Sequence, residues 1–322
     1  MEPLLQVRDL HVHYDLPSAG PVCALQGVDF VIREGESVGV LGESGCGKST
    51  LAATIMGLLP PEAIVSGGSV RLRGLELIGL TKKELRSIRG TKIEFIHQEP
   101  ALALNPVRRV GEQVADVVRA HLPGDRASAI QHAQDMLARV SLAGARYFRA
   151  YPHQLSGGER QRVVIAQALV CWPALVTADE PTSSLDSTTQ AEILALLKGL
   201  CQELGISLLL ISHDPAVLAT LCDRVLVIYA GRIVEQGPLL ELYCRPRHPY
   251  TQALLSLMAS RQGENSSQVL PTIPGQPPNL LQLSSGCSFE PRCSERFAAC
   301  AVRSPEEVVE GERRVRCFKY GG

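Results

Sequence analysis

No apolar run in this 322-residue chain reaches the roughly 18–20 residues that carry a helix across a bilayer. The longest, 206–211 and 225–230, have the length of buried strands. Aromatic residues are scarce, at 4%, and leave little surface on which nucleobases could stack. Neither sign of charge prevails: 32 basic residues stand against 33 acidic ones. No bulk field therefore draws the chain to nucleic acid, and no nucleic-acid partner is expected. The opening, MEPLLQVRDL, carries Glu2 and Asp9 and lacks a basic segment followed by an apolar core. It does not read as a secretory leader. The chain is expected to stay in the cytoplasm and to reach a membrane, if it serves one, through a partner.

What is present is an ordinary 45% hydrophobic content and a length suited to one large domain plus a smaller one. LLQVRDLHVHY reads as a strand, and VDFVIREGESVGVLG as strand, Glu-Gly turn and buried strand. A glycine-rich loop at 42–47 precedes a helix predicted over about 48–58. Short strands are predicted to flank Gly67–Gly68 and Gly74. A basic helical stretch at 81–89 leads into the strand KIEFIH, and residues 107–150 are Ala-rich and helical. From Ser156 onward, helices alternate with strands at 174–178, 206–211 and 225–229. That alternation predicts an α/β fold with a largely parallel sheet covered on both faces. The regular pattern ends near Pro238, and 260–286 reads as a linker.

Three motifs carry chemistry. GESGCGKS, Gly42 through Glu43, Ser44, Gly45, Cys46, Gly47, Lys48 and Ser49, fits G-x-x-x-x-G-K-[ST]. Its glycines let backbone N–H groups converge on phosphate oxygens, and the helix beginning near Lys48 adds its positive end. Lys48 is expected on the β- and γ-phosphates and Ser49 on Mg²⁺; Thr50 follows in the same turn. ALVTADE ends an apolar strand in two carboxylates. Asp179 is expected to hold Mg²⁺ through water and Glu180 to polarise the attacking water. LSGGERQR contains a capping box of Ser156 and Glu159. A capped helix does not need Gly157 and Gly158 in its first turn, so the pair is read as baring N–H groups for an anion.

Ten cysteines are present. Cys23, Cys46, Cys171, Cys201, Cys222 and Cys244 are scattered and read as small buried hydrophobes. Cys287, Cys293, Cys300 and Cys317 crowd the last 36 residues, with intervening gaps of 5, 6 and 16 residues. A reducing compartment disfavours disulfides. Four-cysteine zinc sites usually use tight C-x2-4-C pairs, and an iron–sulfur cluster suits these wider gaps at least as well. The residues themselves leave cluster and zinc open.

These motifs, in this order, resemble the ATP-binding cassette (ABC) transporter ATPases, whose signature is LSGG. The resemblance covers roughly residues 4–237. It implies a P-loop NTPase fold with a mixed sheet and a helical signature subdomain at about 100–170. ATP and Mg²⁺ are the implied cofactors, and the signature Ser156, Gly157 and Gly158 would close on the γ-phosphate held by a second ATPase subunit. It also implies that Tyr14 stacks on adenine, that Gln98 senses Mg²⁺ and water, that Asp186 belongs to the D-loop and that His213 is the switch histidine. FIHQEPALALNP, YPHQLSGGERQR and RPRHPYTQALL narrow the likeness to subunits of dipeptide and oligopeptide importers. His248-Pro249-Tyr250 matches the motif that names their C-terminal extension, here 238–322. His97, Ala103 and Glu159 depart from that pattern, standing where an aromatic residue, Ser and Met are expected.

The implied role is ATP hydrolysis energising import of di- and oligopeptides. A nickel, glutathione or other small-solute importer is the alternative, and a soluble non-transport ABC ATPase a more distant one. The implied partners are a different ATPase subunit, two permease subunits whose coupling helix would meet 98–121, and an extracytoplasmic solute-binding protein. The location would be peripheral, on the cytoplasmic face of the inner membrane. Some members carry a [4Fe–4S] site in this extension. The resemblance thus tilts Cys287, Cys293, Cys300 and Cys317 toward a cluster, with Zn²⁺ as the alternative and folding of the tail or redox sensing as the role.

Overall fold

The structure, a computed structural model, describes residues 2–17, 20–259, 273–281 and 285–321. Much of the segment read as a linker, 260–272 and 282–284, lies outside them. The chain divides into two compact units. One comprises Met1–Leu4, Ile32–Ser37 and Leu72–Ile211, and the other Leu5–Val31, Val38–Arg71 and Ser212–Gly322.

The first unit is organised by three parallel strands, Ile93–Ile96, Leu175–Asp179 and Ser207–Ser212. Ile93 pairs with Leu175, and Leu175 with Ser207. The last two strands are buried almost throughout, as parallel strands covered on both faces must be. Ala-rich residues 107–150 form Val110–His121, Arg126–Arg139 and the short Ala145–Arg149. Their Val110, Val114, Ala133 and Met136 are buried, and Asp125 caps the middle helix by accepting from Ser128 N–H at 2.8 Å. Gln113 fixes the preceding loop. Its side chain accepts from Asn105 N–H at 2.8 Å and donates to the Asn105 and Arg108 carbonyls, both at 3.0 Å.

In the second unit, Leu5–Leu16 lies between Gly20–Ile32 and Ala63–Leu72. The Ala63–Leu72 strand runs straight through Gly67–Gly68 rather than breaking there. Gly68 has φ 89°, and a Cβ on it would sit 2.3 Å from the Asp9 carbonyl oxygen. The glycine marks a close backbone crossing, not a turn. Ser37–Leu41 runs parallel to Arg224–Tyr229, and Arg232–Pro238 returns antiparallel. The tail is not loop alone: Arg313–Val315 extends this sheet, Glu235 opposite Val315, and Val308–Glu310 pairs onto it. Tyr229, Tyr250 and Phe289 pack with ring centroids 4.6–5.3 Å apart, so the tail contributes buried aromatic surface.

Candidate nucleotide site

The phosphate loop leaves the buried Ser37–Leu41 strand and enters the Lys48–Met56 helix, which starts at Lys48 as expected and stops two residues earlier. Two glycines cannot be replaced there. A Cβ on Gly42 would lie 2.4 Å from the Ile228 carbonyl oxygen, and one on Gly47, at φ 108°, 2.5 Å from that of Ala24. Ser44 and Gly45 are exposed at the tip, and Cys46 is buried; burial pushes the Cys46 thiol pKa up. Lys48 is itself buried, and its Nζ donates to the Gly42 carbonyl at 2.7 Å and the Glu43 carbonyl at 2.9 Å. The ammonium thus bridges the loop. Ser49 is exposed beside it. Tyr14 is half-buried, its hydroxyl 3.2 Å from Thr50 Oγ1, which places the ring beside the loop's helix. His213 is exposed in the turn between Ser207–Ser212 and Pro215–Leu221. Asp214 caps that helix by accepting from Ala216 N–H at 2.8 Å.

Glu43 is the loop's least expected member. Its N–H donates to the Tyr250 hydroxyl at 2.9 Å, and its carboxylate takes a two-pronged ion pair from Arg292, at 2.6 and 3.0 Å. Both partners belong to the 238–322 segment. No sequence pattern links either of them to Glu43.

In the first unit, Asp179 ends its strand and Glu180 follows at φ 45°. For a non-glycine residue this is a strained position, and such strain gathers at functional sites. The Glu180 N–H donates to the Ile211 carbonyl at 2.9 Å, and Ser183 Oγ donates to the Glu180 carbonyl at 3.2 Å. Gln98 Nε2 in turn donates to Ser183 Oγ at 3.3 Å. The structure therefore brings Gln98 to the turn that carries Glu180. His97 belongs here too: burial lowers its pKa, and the nearby Asp179 charge works against that.

The signature helix, Gly157–Leu169, begins with the expected capping box: Ser156 Oγ accepts from Glu159 N–H at 3.2 Å, and Glu159 accepts from Ser156 N–H at 2.8 Å. These hydrogen bonds lower the Glu159 pKa. Asp186 caps Ser187–Leu204, accepting from Thr189 N–H at 3.0 Å, which lowers its pKa. Gly158 has a second reason to be glycine. A Cβ there would approach Thr189 Cγ2 to 2.5 Å, whereas one on Gly157 would only touch Leu185, at 3.4 Å. Close helix approach thus accounts for Gly158.

Four of the scattered cysteines, Cys46, Cys171, Cys201 and Cys222, are buried as expected, and Cys23 is half-buried. Cys244 is exposed at the end of the Leu239–Cys244 helix, a correction to its reading as core, because that short helix buries Leu239 and Leu242 instead. Cys287, Cys293, Cys300 and Cys317 line one small cavity walled by Phe289, Phe297 and Phe318. Cys287 N–H donates to the Cys300 carbonyl at 2.8 Å. Burial first, then the charges of Cys300, Cys317 and Cys293, push the Cys287 pKa up to about 11; Cys293 and Cys317 also rise, burial leading. Cys300 is buried and the other three cysteines are half-buried, and together they form a donor set that a cationic centre would satisfy. Among the described residues, however, no three His, Cys, Asp or Glu side chains converge to hold a single metal ion. No described helix is long and apolar enough to cross a membrane.

Comparison with known proteins agrees with this geometry. Residues 25–183 match the ABC transporter family, and 234–300 match the oligopeptide/dipeptide transporter C-terminal region. The oligopeptide transport ATP-binding protein OppD of Salmonella typhimurium is 43% identical over 98% of this chain and 93% of its own. The probable peptide ABC transporter ATP-binding protein y4tR of Sinorhizobium fredii is 44% identical over 94% of this chain and 90% of its own. Among solved structures, the dimeric ATP-binding cassette MJ0796 bound to ADP and Pi superposes with a TM-score of 0.65 and 30% identity, covering 73% of this chain and 98% of that one. The cbiO1 cassette of Clostridium perfringens superposes at 0.64 with 29% identity, covering 76% and 92%. The expected P-loop α/β fold stands, and the chain belongs to the ATP-hydrolysing subunits of ABC transporters, with the oligopeptide/dipeptide-type C-terminal region.

Proposed function

We propose that this chain energises import of di- and oligopeptides from the cytoplasmic face of the membrane, paired with a second, different ATPase subunit beneath two permease subunits and fed by a solute-binding protein. The observation that carries this reading is one chain holding both the phosphate loop and the His248-Pro249-Tyr250 extension, over nearly the full length of its 43% identical peptide-transport relative. We assign residues 1–237 to the cassette and 238–322 to the extension.

The site roles follow the chemistry of each side chain. Lys48 and the loop N–H groups take the phosphates, and Tyr14 takes adenine. Ser49, Gln98 and Asp179 are assigned to Mg²⁺, Glu180 to the attacking water and His213 to the γ-phosphate. Ser156, Gly157 and Gly158 serve the nucleotide of the opposite subunit, with Asp186 beside them. Each phosphate loop is assigned the signature of the opposite subunit, which is the reason a second subunit is required.

The permease contact is placed on 98–121. Leu102 and Val107 are 81% and 79% exposed, unusual for large apolar side chains in the water-facing state and suited to cover by another protein. Gln113 holds their loop in shape. In membranes containing the assembled transporter, peptide-loaded binding protein is expected to stimulate ATP hydrolysis. Leu102→Glu with Val107→Glu is expected to remove most of that stimulation, tenfold or about that, while ATP binding persists. Unchanged stimulation would place the permease elsewhere.

We further propose that Cys287, Cys293, Cys300 and Cys317 hold a [4Fe–4S] cluster, Zn²⁺ being the alternative. Such a cluster would supply a covalent staple and a one-electron centre. The chain's own contribution is four thiolates, an aromatic wall and the Cys287–Cys300 backbone bond. Protein purified without oxygen is expected to be brown and to contain about four irons per chain. Colourless protein with one zinc per chain would establish the alternative.

A further inference from the structure

We infer that Arg292 is a positioning residue for nucleotide binding: it neutralises Glu43 and holds that carboxylate clear of the phosphates. The inference rests on the reading of 42–49 as the phosphate loop.

A carboxylate inside a phosphate-binding loop poses a problem of charge. Left to itself, Glu43 would repel a triphosphate a few ångströms away. Here both of its oxygens accept from the Arg292 guanidinium, at 2.6 and 3.0 Å. The Arg292 side chain is only 5% exposed and that of Glu43 26%, so water screens the pair weakly. Arg292 is itself fixed. Its Nε donates to the Pro274 carbonyl at 2.9 Å, and the guanidinium lies 5.9 Å from the Tyr229 ring centre. Bidentate geometry holds the carboxylate in one orientation as well as cancelling its charge.

The tether matters most once nucleotide arrives. Lys48 Nζ bridges the Gly42 and Glu43 carbonyls. A Lys48 that turns to phosphate gives up both bonds. What then still holds Glu43 is the Tyr250 hydroxyl on its N–H and Arg292 on its carboxylate, both from the C-terminal extension. Arg292 is also flanked in sequence by Cys287 and Cys293, so the cysteine-lined fold sets the position of the guanidinium. The extension thereby reaches the nucleotide loop through a charge, not through a ligand of its own.

Equilibrium binding of ATP to the full-length chain tests this, with Arg292→Gln as the first variant, because glutamine keeps an amide able to donate toward Pro274 while removing the charge. ATP affinity is expected to fall roughly tenfold. Glu43→Gln in that background is expected to restore it to within about threefold of wild type, since the unpaired carboxylate is then gone. In the assembled transporter, Arg292→Gln should raise the KM for ATP and leave kcat at saturating ATP within about twofold. Unchanged affinity in Arg292→Gln overturns the inference. So does a loss that Glu43→Gln fails to repair, because Arg292 would then serve only to fold the tail. If Arg292→Gln alone does not fold, the double variant is compared with Glu43→Gln: equal affinities support the inference, and a tenfold weaker double variant, or one that does not fold, overturns it. Lys48→Ala run alongside separates the two readings. If it leaves ATP binding intact, the loop assignment itself fails; if it weakens binding while Arg292→Gln does not, only the role of Arg292 fails.

Discussion

Glu180→Gln is expected to lower ATP hydrolysis by the assembled transporter by about 10²–10⁴-fold, the range a positioned general base contributes, while ATP affinity stays within about threefold. The substitution changes one oxygen to an amide nitrogen and leaves volume and backbone alone. That matters here because the backbone is strained: φ is 45° at this residue. The Glu180 N–H on the Ile211 carbonyl and the Ser183 hydroxyl on the Glu180 carbonyl over-determine the turn. Both are main-chain contacts of residue 180 and survive the change, so a drop in rate reports the lost carboxylate and not a collapsed turn. An amide can neither accept a proton from water nor polarise it as a carboxylate does, whereas phosphate binding is assigned to the loop N–H groups and Lys48. The expected product is an ATP-loaded enzyme that does not turn over. Steady-state hydrolysis and nucleotide retention, measured on the same preparation, check both halves. Hydrolysis at the wild-type rate would remove Glu180 from the mechanism.

Local chemistry was legible in the sequence wherever contiguous residues do the work. The phosphate loop, the Ser156 capping box and the Leu175–Asp179 strand that delivers two carboxylates are each written within a dozen residues, and each folds as its spacing requires. Gly68 shows the first kind of failure. A glycine pair normally signals a turn, but here it lets a strand cross within 2.3 Å of where its Cβ would meet the Asp9 carbonyl, and nothing near it in sequence names Asp9. Gly158 shows the second: its helix-starting role was readable, but its packing against Thr189 was not. The tail shows the third. Arg313–Val315 is three residues long, too short for any periodicity, and becomes a strand because Arg232–Pro238 offers it an edge. Glu43 and Arg292 meet across 249 positions, a distance over which no pattern in one sequence can speak.

The same long-range logic makes Glu235 the residue whose loss should most damage the extension. In GRIVEQG it reads as an ordinary strand glutamate, one side chain facing water. In the structure its side chain is fully buried. One oxygen accepts from Arg313 Nη2 at 2.8 Å, and the two oxygens accept from the Arg247 and His248 N–H groups at 3.0 and 2.9 Å. One carboxylate thus joins the sheet, the turn into the His248-Pro249-Tyr250 segment and the tail strand of Arg313. Glu235→Ala would strand the Arg313 charge, its side chain only 8% exposed, and leave two buried N–H donors without acceptors. Breaking a buried pair from one side costs about 3–5 kcal/mol. Glu235→Gln keeps an acceptor oxygen for a backbone donor and loses only the charge, so a cost of roughly half is expected. A chain of several cooperative units does not unfold in one step, so the suitable measurement is hydrogen exchange at the Arg247 and His248 amides. Their protection should drop by about a hundredfold or more in Glu235→Ala, the equivalent of roughly 3 kcal/mol, and by a smaller factor in Glu235→Gln. Exchange at the Leu175–Asp179 strand, in the other compact unit, should change little. A change of less than about tenfold at residues 247 and 248 in Glu235→Ala would mean that the tail is held by its aromatic packing and cysteine-lined core instead of by this charge.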